Sequence, residues 1–124
     1  MTEQKPTLLY ADDEPPILRM ATRILKDKYD LLITTDCVQA YNYLRGNDPP
    51  KYAVLDNIFK GQQFEGIAII EKLFSERGRL PSGIVLCSGT LDSSIRRRAE
   101  ARGAKCIDKP FSPGDLLGIL SSFS

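Results

Sequence analysis

Five short apolar segments, each followed by a segment of helical periodicity, constrain the fold of this chain more than any other feature of its sequence. The apolar segments cover residues 7–11, 29–35, 52–56, 83–88 and 104–108. Most of them are apolar on both faces, which is typical of parallel strands covered by helices on each side. We therefore expect an α/β fold built from five β-α units, with a parallel sheet, helices on both of its faces and right-handed crossovers.

Apolar residues three and four positions apart predict the intervening helices. They are Ile17, Met20, Ala21, Ile24 and Leu25 in the first helix, Cys37, Ala40, Tyr41 and Leu44 in the second, Ile67, Ile70, Leu73 and Phe74 in the third, and Leu116, Ile119, Leu120 and Phe123 in the last. The fourth helix, from Leu91 to Arg102, has only Leu91, Ile95 and Ala99 along its apolar side, so we expect it to be the weakest. Helix starts are predicted at Asp36 with Gln39 and at Ser112 with Pro113 and Asp115, and helix ends at Gly46, Gly78 and Gly103.

Length and composition limit the classes of protein that this chain can belong to. Its 124 residues are the length of one domain, and we expect residues 1–124 to form a single one. The net charge of +1 gives no sign of nucleic-acid or membrane binding. The N-terminus is polar and no apolar stretch could span a bilayer, so we expect neither a signal peptide nor a transmembrane helix.

The cysteine and histidine content limits the cellular location of this chain and the kinds of metal and catalytic site that it can have. Cys37, Cys87 and Cys106 are odd in number and lack CxxC spacing, which favours reduced thiols and a cytoplasmic protein. The chain has no histidine. Histidine zinc sites, Ser-His or Cys-His nucleophile pairs and a phosphorylated histidine within this chain are therefore excluded.

Polar residues end four of the five predicted strands. The first strand ends in Asp12 and Asp13, the third in Asp56, the fourth in Ser88 and the fifth in Lys109. Ligands of doubly wound sheets bind beyond the carboxyl ends of the strands, so we expect these side chains to share one edge of the sheet. Taken singly, the acidic pair could be a solvated helix cap and the other three could be turn, cap or surface residues. Their combination favours a functional site.

The chemistry of this set indicates a magnesium and phosphate site. Carboxylates in one cleft raise each other's pKa values unless a cation compensates, and Mg²⁺ prefers such oxygen ligands together with phosphate oxygens. Lys109 and Ser88 could hold phosphoryl oxygens. Asp56 is then a candidate nucleophile for a phosphoryl group.

Four segments, LLYADDEP, YAVLDN, VLCSG and GAKCIDKPF, resemble the response-regulator receiver domain of two-component signalling, including chemotaxis-type regulators. The resemblance spans the whole chain and implies a flavodoxin-like fold with strand order 2-1-3-4-5. It implies that Asp56 is the phosphoacceptor, Ser88 the switch hydroxyl and Lys109 the phosphate-binding lysine, and that Lys109-Pro110 is a cis peptide bond. The implied metal ligands are Asp12, Asp13, Asp56 and the main-chain carbonyl of Ile58.

The function implied by this resemblance is that of a signalling switch, not of an enzyme acting on other substrates. With Mg²⁺, Asp56 would accept a phosphoryl group from a sensor histidine kinase, a phosphotransfer protein or a small phosphodonor. The domain would catalyse only its own phosphorylation and dephosphorylation. Phosphorylation would switch the helix after Ser88 and the surface that it forms with the last strand and helix, for an output partner that the sequence does not identify. From the charge and the sequence pattern we expect no direct nucleic-acid or membrane contact, and a homodimer is possible.

Two features depart from the pattern of that family, and the residues at two of its variable positions bear on dephosphorylation. Cys106 stands where an aromatic residue is usual in the fifth strand, and it is too small to report the switch by swinging a ring. Lys60 stands where proline is common, in a run from Asp56 to Gly66 that is longer than usual. Ile58 and Thr90 occupy the positions that flank the path of the hydrolytic water, and an apolar residue at 58 predicts slow self-dephosphorylation.

Two other functions remain open at this point. A pseudo-receiver would bind partners without phosphorylation, and Cys106 and the long loop are its support. A small phosphatase of the haloacid dehalogenase type would need a second carboxylate two residues after the nucleophile, where this chain has Ile58.

The sequence also contains a run of arginines, made up of Arg96, Arg97, Arg98 and Arg102. The simplest interpretation of this run is a solvated helix face, and the alternative is a surface that binds an acidic partner.

Overall fold

The computed structural model describes residues 4–89 and 92–123. The strands are β1 (Thr7–Ala11), β2 (Asp30–Thr34), β3 (Tyr52–Asp56), β4 (Gly83–Ser88) and β5 (Lys105–Asp108), and the helices are α1 (Pro15–Leu25), α2 (Cys37–Arg45), α3 (Gly66–Arg77), α4 (Ser93–Ala101) and α5 (Pro113–Ser121). All strand pairs are parallel and the sheet order is β2-β1-β3-β4-β5. The predicted α/β fold, its strand order and the placement of its elements are confirmed.

Helices cover both faces of the sheet, and the buried side chains accordingly form two clusters. Helices α2, α3 and α4 cover one face, over side chains that include Leu9, Leu44, Leu55, Ile70, Leu73 and Leu86. Helices α1 and α5 cover the other, over side chains that include Leu8, Tyr10, Leu25, Val54, Val85 and Leu116. Burying a leucine or isoleucine side chain completely stabilises the fold by about 1.5–3 kcal/mol relative to leaving it exposed. The two buried clusters therefore hold in place the strands whose carboxyl ends carry the polar residues.

The edge position of β2 explains why its apolar residues are not all buried. Leu32 and Ile33 are 36% and 50% exposed, whereas every residue of the central strand β3 is buried. An edge strand has a partner on one side only and its helices cover it incompletely. Among the described residues, no helix combines the length and the apolar composition that crossing a membrane requires.

Local signals set the helix boundaries. Ser112 and Asp115 form the predicted capping box at the start of α5, with both backbone amides bonded at 3.0 Å. Asp36 caps α2 through the amide of Gln39, but the Gln39 side chain accepts from Thr34 instead of completing a box. Gly78 ends α3 with φ of 72°, a conformation that glycine adopts without steric cost.

Helix α4 is the weakest helix, as its sequence predicts. It buries only Ala99 and begins at Ser93, because Asp92 caps it by accepting from the amide of Ile95 at 2.8 Å. The predicted start, Leu91, lies outside the described residues.

Ion pairs supplement the small apolar contact of α4. Arg96 lies 3.0 Å from Asp108 of β5, and Arg98 and Arg102 lie 2.5 Å and 3.3 Å from Glu71 of α3. Three members of the arginine run therefore pair with acidic residues of this chain. These side chains remain partly exposed, so each isolated pair contributes only about 0–1 kcal/mol.

Candidate functional site at the carboxyl edge of the sheet

The structure brings Asp12, Asp13, Asp56 and Lys109 together at one edge of the sheet. Strand β1 pairs with β3 with Ala11 opposite Leu55, so the residues that follow, Asp12 and Asp56, are neighbours. The ammonium of Lys109 reaches back from the end of β5 to Oδ2 of Asp12 at 2.8 Å and Oδ1 of Asp56 at 3.3 Å. Asp12 has no exposed surface, so it is not a solvated helix cap.

Three carboxylates of this group suit a divalent cation. Asp12, Asp13 and Asp56 each offer one carboxylate oxygen, and these oxygens lie within 4.8 Å of one another. Three negative charges face the single positive charge of Lys109, which leaves the cluster short of positive charge. An all-oxygen donor set of this kind matches the preference of Mg²⁺, which usually takes one or two carboxylates and keeps other positions for water or phosphate.

The charges of the cluster alter the protonation of Asp56 and Lys109. Burial and the neighbouring charge of Asp12 raise the pKa of Asp56 to about 6, against the opposing effect of Lys109. Burial alone would lower the pKa of Lys109. The hydrogen bond to Asp12 and the surrounding electrostatic interactions outweigh burial and raise that pKa above its ordinary value. Lys109 therefore stays protonated, and Asp56 titrates at a pH of about 6.

Ser88 lies at the same edge, at the end of the neighbouring strand β4. It is 3% exposed, and its carbonyl accepts from the backbone amide of Lys109 at 3.0 Å. Lys109-Pro110 is a cis peptide bond, as the resemblance implies. Ser88 and Lys109 are thus fixed to one another through the main chain, while their predicted roles toward phosphate stay predictions.

Asn57 fixes the segment that leaves Asp56, a role that the sequence analysis missed. Its backbone amide donates to the Cys87 carbonyl at 2.9 Å, its side-chain oxygen accepts from the amide of Ile67 at 3.1 Å, and its carbonyl accepts from Gly66. The side chain is 1% exposed. An asparagine directly after the acidic strand end was the available signal, because asparagine side chains readily bond nearby backbone groups.

Gly66 lets the start of α3 approach this strand end. A Cβ atom at this position would lie 2.4 Å from the Asp56 carbonyl oxygen and 2.7 Å from Cδ1 of Leu86. Both distances are shorter than any relaxed carbon contact, so the position requires glycine. Close packing of α3 against β3 therefore holds the backbone of Asp56 in place.

The long loop between β3 and α3 also contacts the acidic cluster. The backbone amide of Lys60 donates to Oδ2 of Asp13 at 3.0 Å. Proline, common at this position in the resembling family, has no amide hydrogen to donate. The Gln62 side chain anchors the loop by accepting from the amide of Cys37 at 2.7 Å and donating to the Thr35 carbonyl at 2.8 Å. The departure at Lys60 thus gives Asp13 a main-chain partner.

The structure also describes Ile58 and Cys106, two further residues that the sequence analysis singled out. Ile58 has a 43% exposed side chain just past Asp56, where its carbonyl was predicted to bind metal; that role stays a prediction. Cys106 is half-buried and packs against the buried apolar side chains under α2, α3 and α4. Burial raises the pKa of its thiol. Thr90, the second position predicted to flank the water path, lies outside the described residues.

Curated relatives of this chain are response regulators. The chain is 32% identical over 108 residues to the response regulator GtcR of Aneurinibacillus migulanus and 28% identical over 115 residues to the putative NtrX-like response regulator of Rickettsia bellii. These matches cover 86% and 91% of this chain but only 43% and 23% of the relatives. The chain therefore spans less than half the length of either protein. No family model matches the sequence.

Solved structures show the same fold. The CheY-like response regulator receiver domain protein of Methanospirillum hungatei superposes with a TM-score of 0.82 at 23% sequence identity, over 98% of this chain and 94% of that one. Similarity at this identity concerns the fold. The fold is similar to that of a receiver domain and the curated relatives are response regulators. Both findings agree with the polar residues found at the carboxyl edge of the sheet.

Proposed function

We propose that this chain, a response-regulator receiver domain by its fold and by its relatives, accepts a phosphoryl group on Asp56 in a two-component system. One observation carries the proposal. The ammonium of Lys109 contacts both Asp12 and Asp56, at 2.8 Å and 3.3 Å, within a cluster whose three acids could hold one divalent cation. The proposed metal ligands are Asp12, Asp13, Asp56 and the main-chain carbonyl of Ile58.

The chain's own residues can perform the transfer. With a pKa of about 6, Asp56 is mostly ionised at neutral pH and its carboxylate can act as a nucleophile. An Asp56 oxygen forms the new bond to phosphorus while the bond from phosphorus to the donor's leaving group breaks, and that group keeps the bonding electrons. Lys109 neutralises charge on the phosphoryl oxygens. Bound Mg²⁺ would supply further charge neutralisation and hold phosphoryl oxygens.

The proposed response to phosphorylation involves Ser88, α4, β5 and α5. Ser88 would move toward the phosphate and bias the position of α4, which buries only Ala99 and otherwise depends on surface ion pairs. A weakly packed helix next to a new charge is a suitable two-state element. The output partner would bind the surface that α4 forms with β5 and α5.

The wider setting is also a proposal. A sensor histidine kinase or a phosphotransfer protein would supply the phosphoryl group, and the domain would act as a switch that catalyses only its own phosphorylation and dephosphorylation. Three free cysteines support the proposed cytoplasmic location. That residues 1–124 form one receiver domain, without direct nucleic-acid or membrane contact, stays a prediction, and a homodimer stays open.

A phosphorylation assay tests this function. The protein is incubated with Mg²⁺ and acetyl phosphate, and the intact mass is measured. We expect the mass to rise by one phosphoryl group in the unchanged protein and in Asp27→Asn, an exposed-acid control, but not in Asp56→Asn or in the presence of EDTA. An unmodified wild-type protein would favour a pseudo-receiver that binds partners without phosphorylation.

A further inference from the structure

Tyr10 of β1 is buried next to the acidic cluster, in a position that the proposed function does not use. It precedes Asp12 by two residues, so the two side chains lie on the same face of the sheet. Tyr10 has no exposed surface. Among the residues that the structure describes, its hydroxyl is the one buried side-chain polar atom without a hydrogen-bond partner.

The unpaired Tyr10 hydroxyl destabilises the conformation that the structure shows. A buried O–H group that makes no hydrogen bond loses its hydration without compensation, and a phenylalanine would fill the same space without that loss. Burial, followed by electrostatic interaction with Cys87, Asp12 and Asp56, raises the pKa of the Tyr10 phenol. The phenol therefore keeps its proton, and the carboxylates of Asp12 and Asp56 are near enough to interact with it electrostatically.

Asp12 is the carboxylate that stands to lose a partner during signalling. It is fully buried, and its oxygens accept from the Lys109 ammonium at 2.8 Å and from the backbone amide of Glu14 at 2.9 Å. In the proposed function Lys109 turns to the phosphoryl oxygens, and phosphorylation removes the free carboxylate of Asp56. Even with Mg²⁺ bound to the carboxylate, Asp12 then lacks the donor that its Oδ2 atom has here, and a buried carboxylate oxygen without a hydrogen-bond partner is unfavourable.

We propose that the Tyr10 hydroxyl donates to the Asp12 carboxylate in the phosphorylated state and so replaces the contact that Lys109 gives up. Tyr10 is then a positioning residue, unpartnered in the resting protein and hydrogen-bonded in the phosphorylated one. This inference rests on the proposed function. It gives the unsatisfied hydroxyl an acceptor, the Asp12 carboxylate two residues further along the chain, in the state in which that carboxylate needs a donor.

Two variants separate this role from simple packing. Tyr10→Phe removes the hydroxyl and keeps the ring. Tyr52→Phe makes the same change at another buried tyrosine on the same face, at the opposite end of the sheet, where β3 begins. In urea unfolding without phosphodonor we expect Tyr10→Phe to be at least as stable as the wild type, because the hydroxyl makes no hydrogen bond there.

Beryllofluoride with Mg²⁺ serves as the probe of the phosphorylated state. We expect Tyr10→Phe to bind it about tenfold more weakly than the wild type, the size of effect typical of a lost hydrogen bond to a charged group, and Tyr52→Phe to bind it unchanged. The chain has no tryptophan, so tyrosine emission gives a second readout. Beryllofluoride should quench it in the wild type and in Tyr52→Phe but not in Tyr10→Phe, because a phenol bonded to a carboxylate emits weakly.

Equal binding by Tyr10→Phe and the wild type would overturn the inference, as would equal weakening by the two variants. A lower stability of unliganded Tyr10→Phe than of Tyr52→Phe would also overturn it, because the hydroxyl would then be bonded in the resting state. If the wild type itself neither binds beryllofluoride nor becomes phosphorylated, the proposed function fails and this inference fails with it. The first three results leave the proposed function intact.

Discussion

The ammonium of Lys109 lies 2.8 Å from a carboxylate oxygen of Asp12, although 97 positions separate the two residues in the chain. Asp12 is completely buried and Lys109 is 18% exposed at its side chain. Their contact joins the end of the first strand to the segment after the last one. A buried charge pair of this kind is strongly destabilised when one partner is removed, so the pair links the site to the stability of the fold.

Replacement of Lys109 tests that link. Lys109→Met leaves the charge of Asp12 buried without its ammonium partner, and we expect the free energy of unfolding at pH 7.5 to fall by at least about 2 kcal/mol. Urea denaturation measures this. Lys28→Met, at an exposed position, should change stability by less than about 0.5 kcal/mol, and an equal loss in the two variants would contradict the importance of the pair.

The raised pKa of Asp56 predicts a pH dependence of stability. The folded protein holds this proton up to a pH of about 6, whereas the unfolded chain releases it near 3.8. The folded state therefore binds more protons between these values, and this contribution to stability is lost as the pH rises through them. In EDTA at pH 7.5 we expect Asp56→Asn to be more stable than the wild type by about 1–2 kcal/mol.

Urea titrations at pH 4 and pH 7.5 measure this difference. The advantage of Asp56→Asn should be clearly smaller at pH 4, where the wild-type carboxyl group is largely protonated in the fold. An advantage that does not change between the two pH values would show that burial of this carboxylate does not carry the effect.

Gly66 offers a test of how the acceptor strand is positioned. In Gly66→Ala the new Cβ would meet the Asp56 carbonyl oxygen at 2.4 Å, so α3 or β3 must shift, and we expect a loss of about 1–3 kcal/mol, as for an overpacked core. Gly118→Ala is the matched control. Its Cβ has open space within an exposed turn of α5 and should stabilise by about 0.5–1 kcal/mol through helix propensity. Thermal unfolding that ranks the two variants equally would contradict the close approach.

Ile58 predicts a long-lived phosphorylated state. Its apolar side chain is 43% exposed next to Asp56 and cannot orient a water molecule for hydrolysis. Ile58→Asn places an amide there, and we expect the phosphoryl group to be lost several-fold faster. The measurement is the decay of phosphorylated protein after removal of the donor. Ile33→Asn, on the exposed edge strand, should leave the lifetime unchanged, and an unchanged lifetime in Ile58→Asn would refute the idea.

The sequence was sufficient to predict the fold and the meeting of Asp12, Asp56 and Lys109 at one edge of the sheet. Parallel strands place their carboxyl ends at one edge whatever the detailed packing, and the implied strand order makes β1 and β3 neighbours, so Asp12 and Asp56 were expected to be near each other. The presence of Lys109 at this edge could be predicted as well, because the strand that precedes it, β5, belongs to the same sheet. The strands and helices follow from periodicity, which the sequence shows directly, whereas the strand order was implied by the resemblance to the receiver-domain family.

The supporting contacts could not be predicted in the same way. The need for glycine at 66 depends on the distance between a helix and a strand, and the role of Gln62 depends on how a long loop folds over the start of α2. The pairing of Arg98 with Glu71 joins two helices whose relative position no local pattern specifies. The orphaned hydroxyl of Tyr10 is visible only once its neighbours are in place, because a tyrosine in a buried strand is otherwise an ordinary core residue.

Chemical mapping of the phosphorylated residue tests the central claim most directly. The protein is treated with Mg²⁺ and acetyl phosphate and then with borohydride, which reduces an aspartyl phosphate to homoserine and releases phosphate. Peptide mass spectrometry then locates the reduced residue. We predict homoserine at position 56 alone, with Asp12 and Asp13 unchanged. Reduction at Asp12 or Asp13, or phosphorylation without any reduced aspartate, would contradict the assignment of Asp56 as the phosphoacceptor.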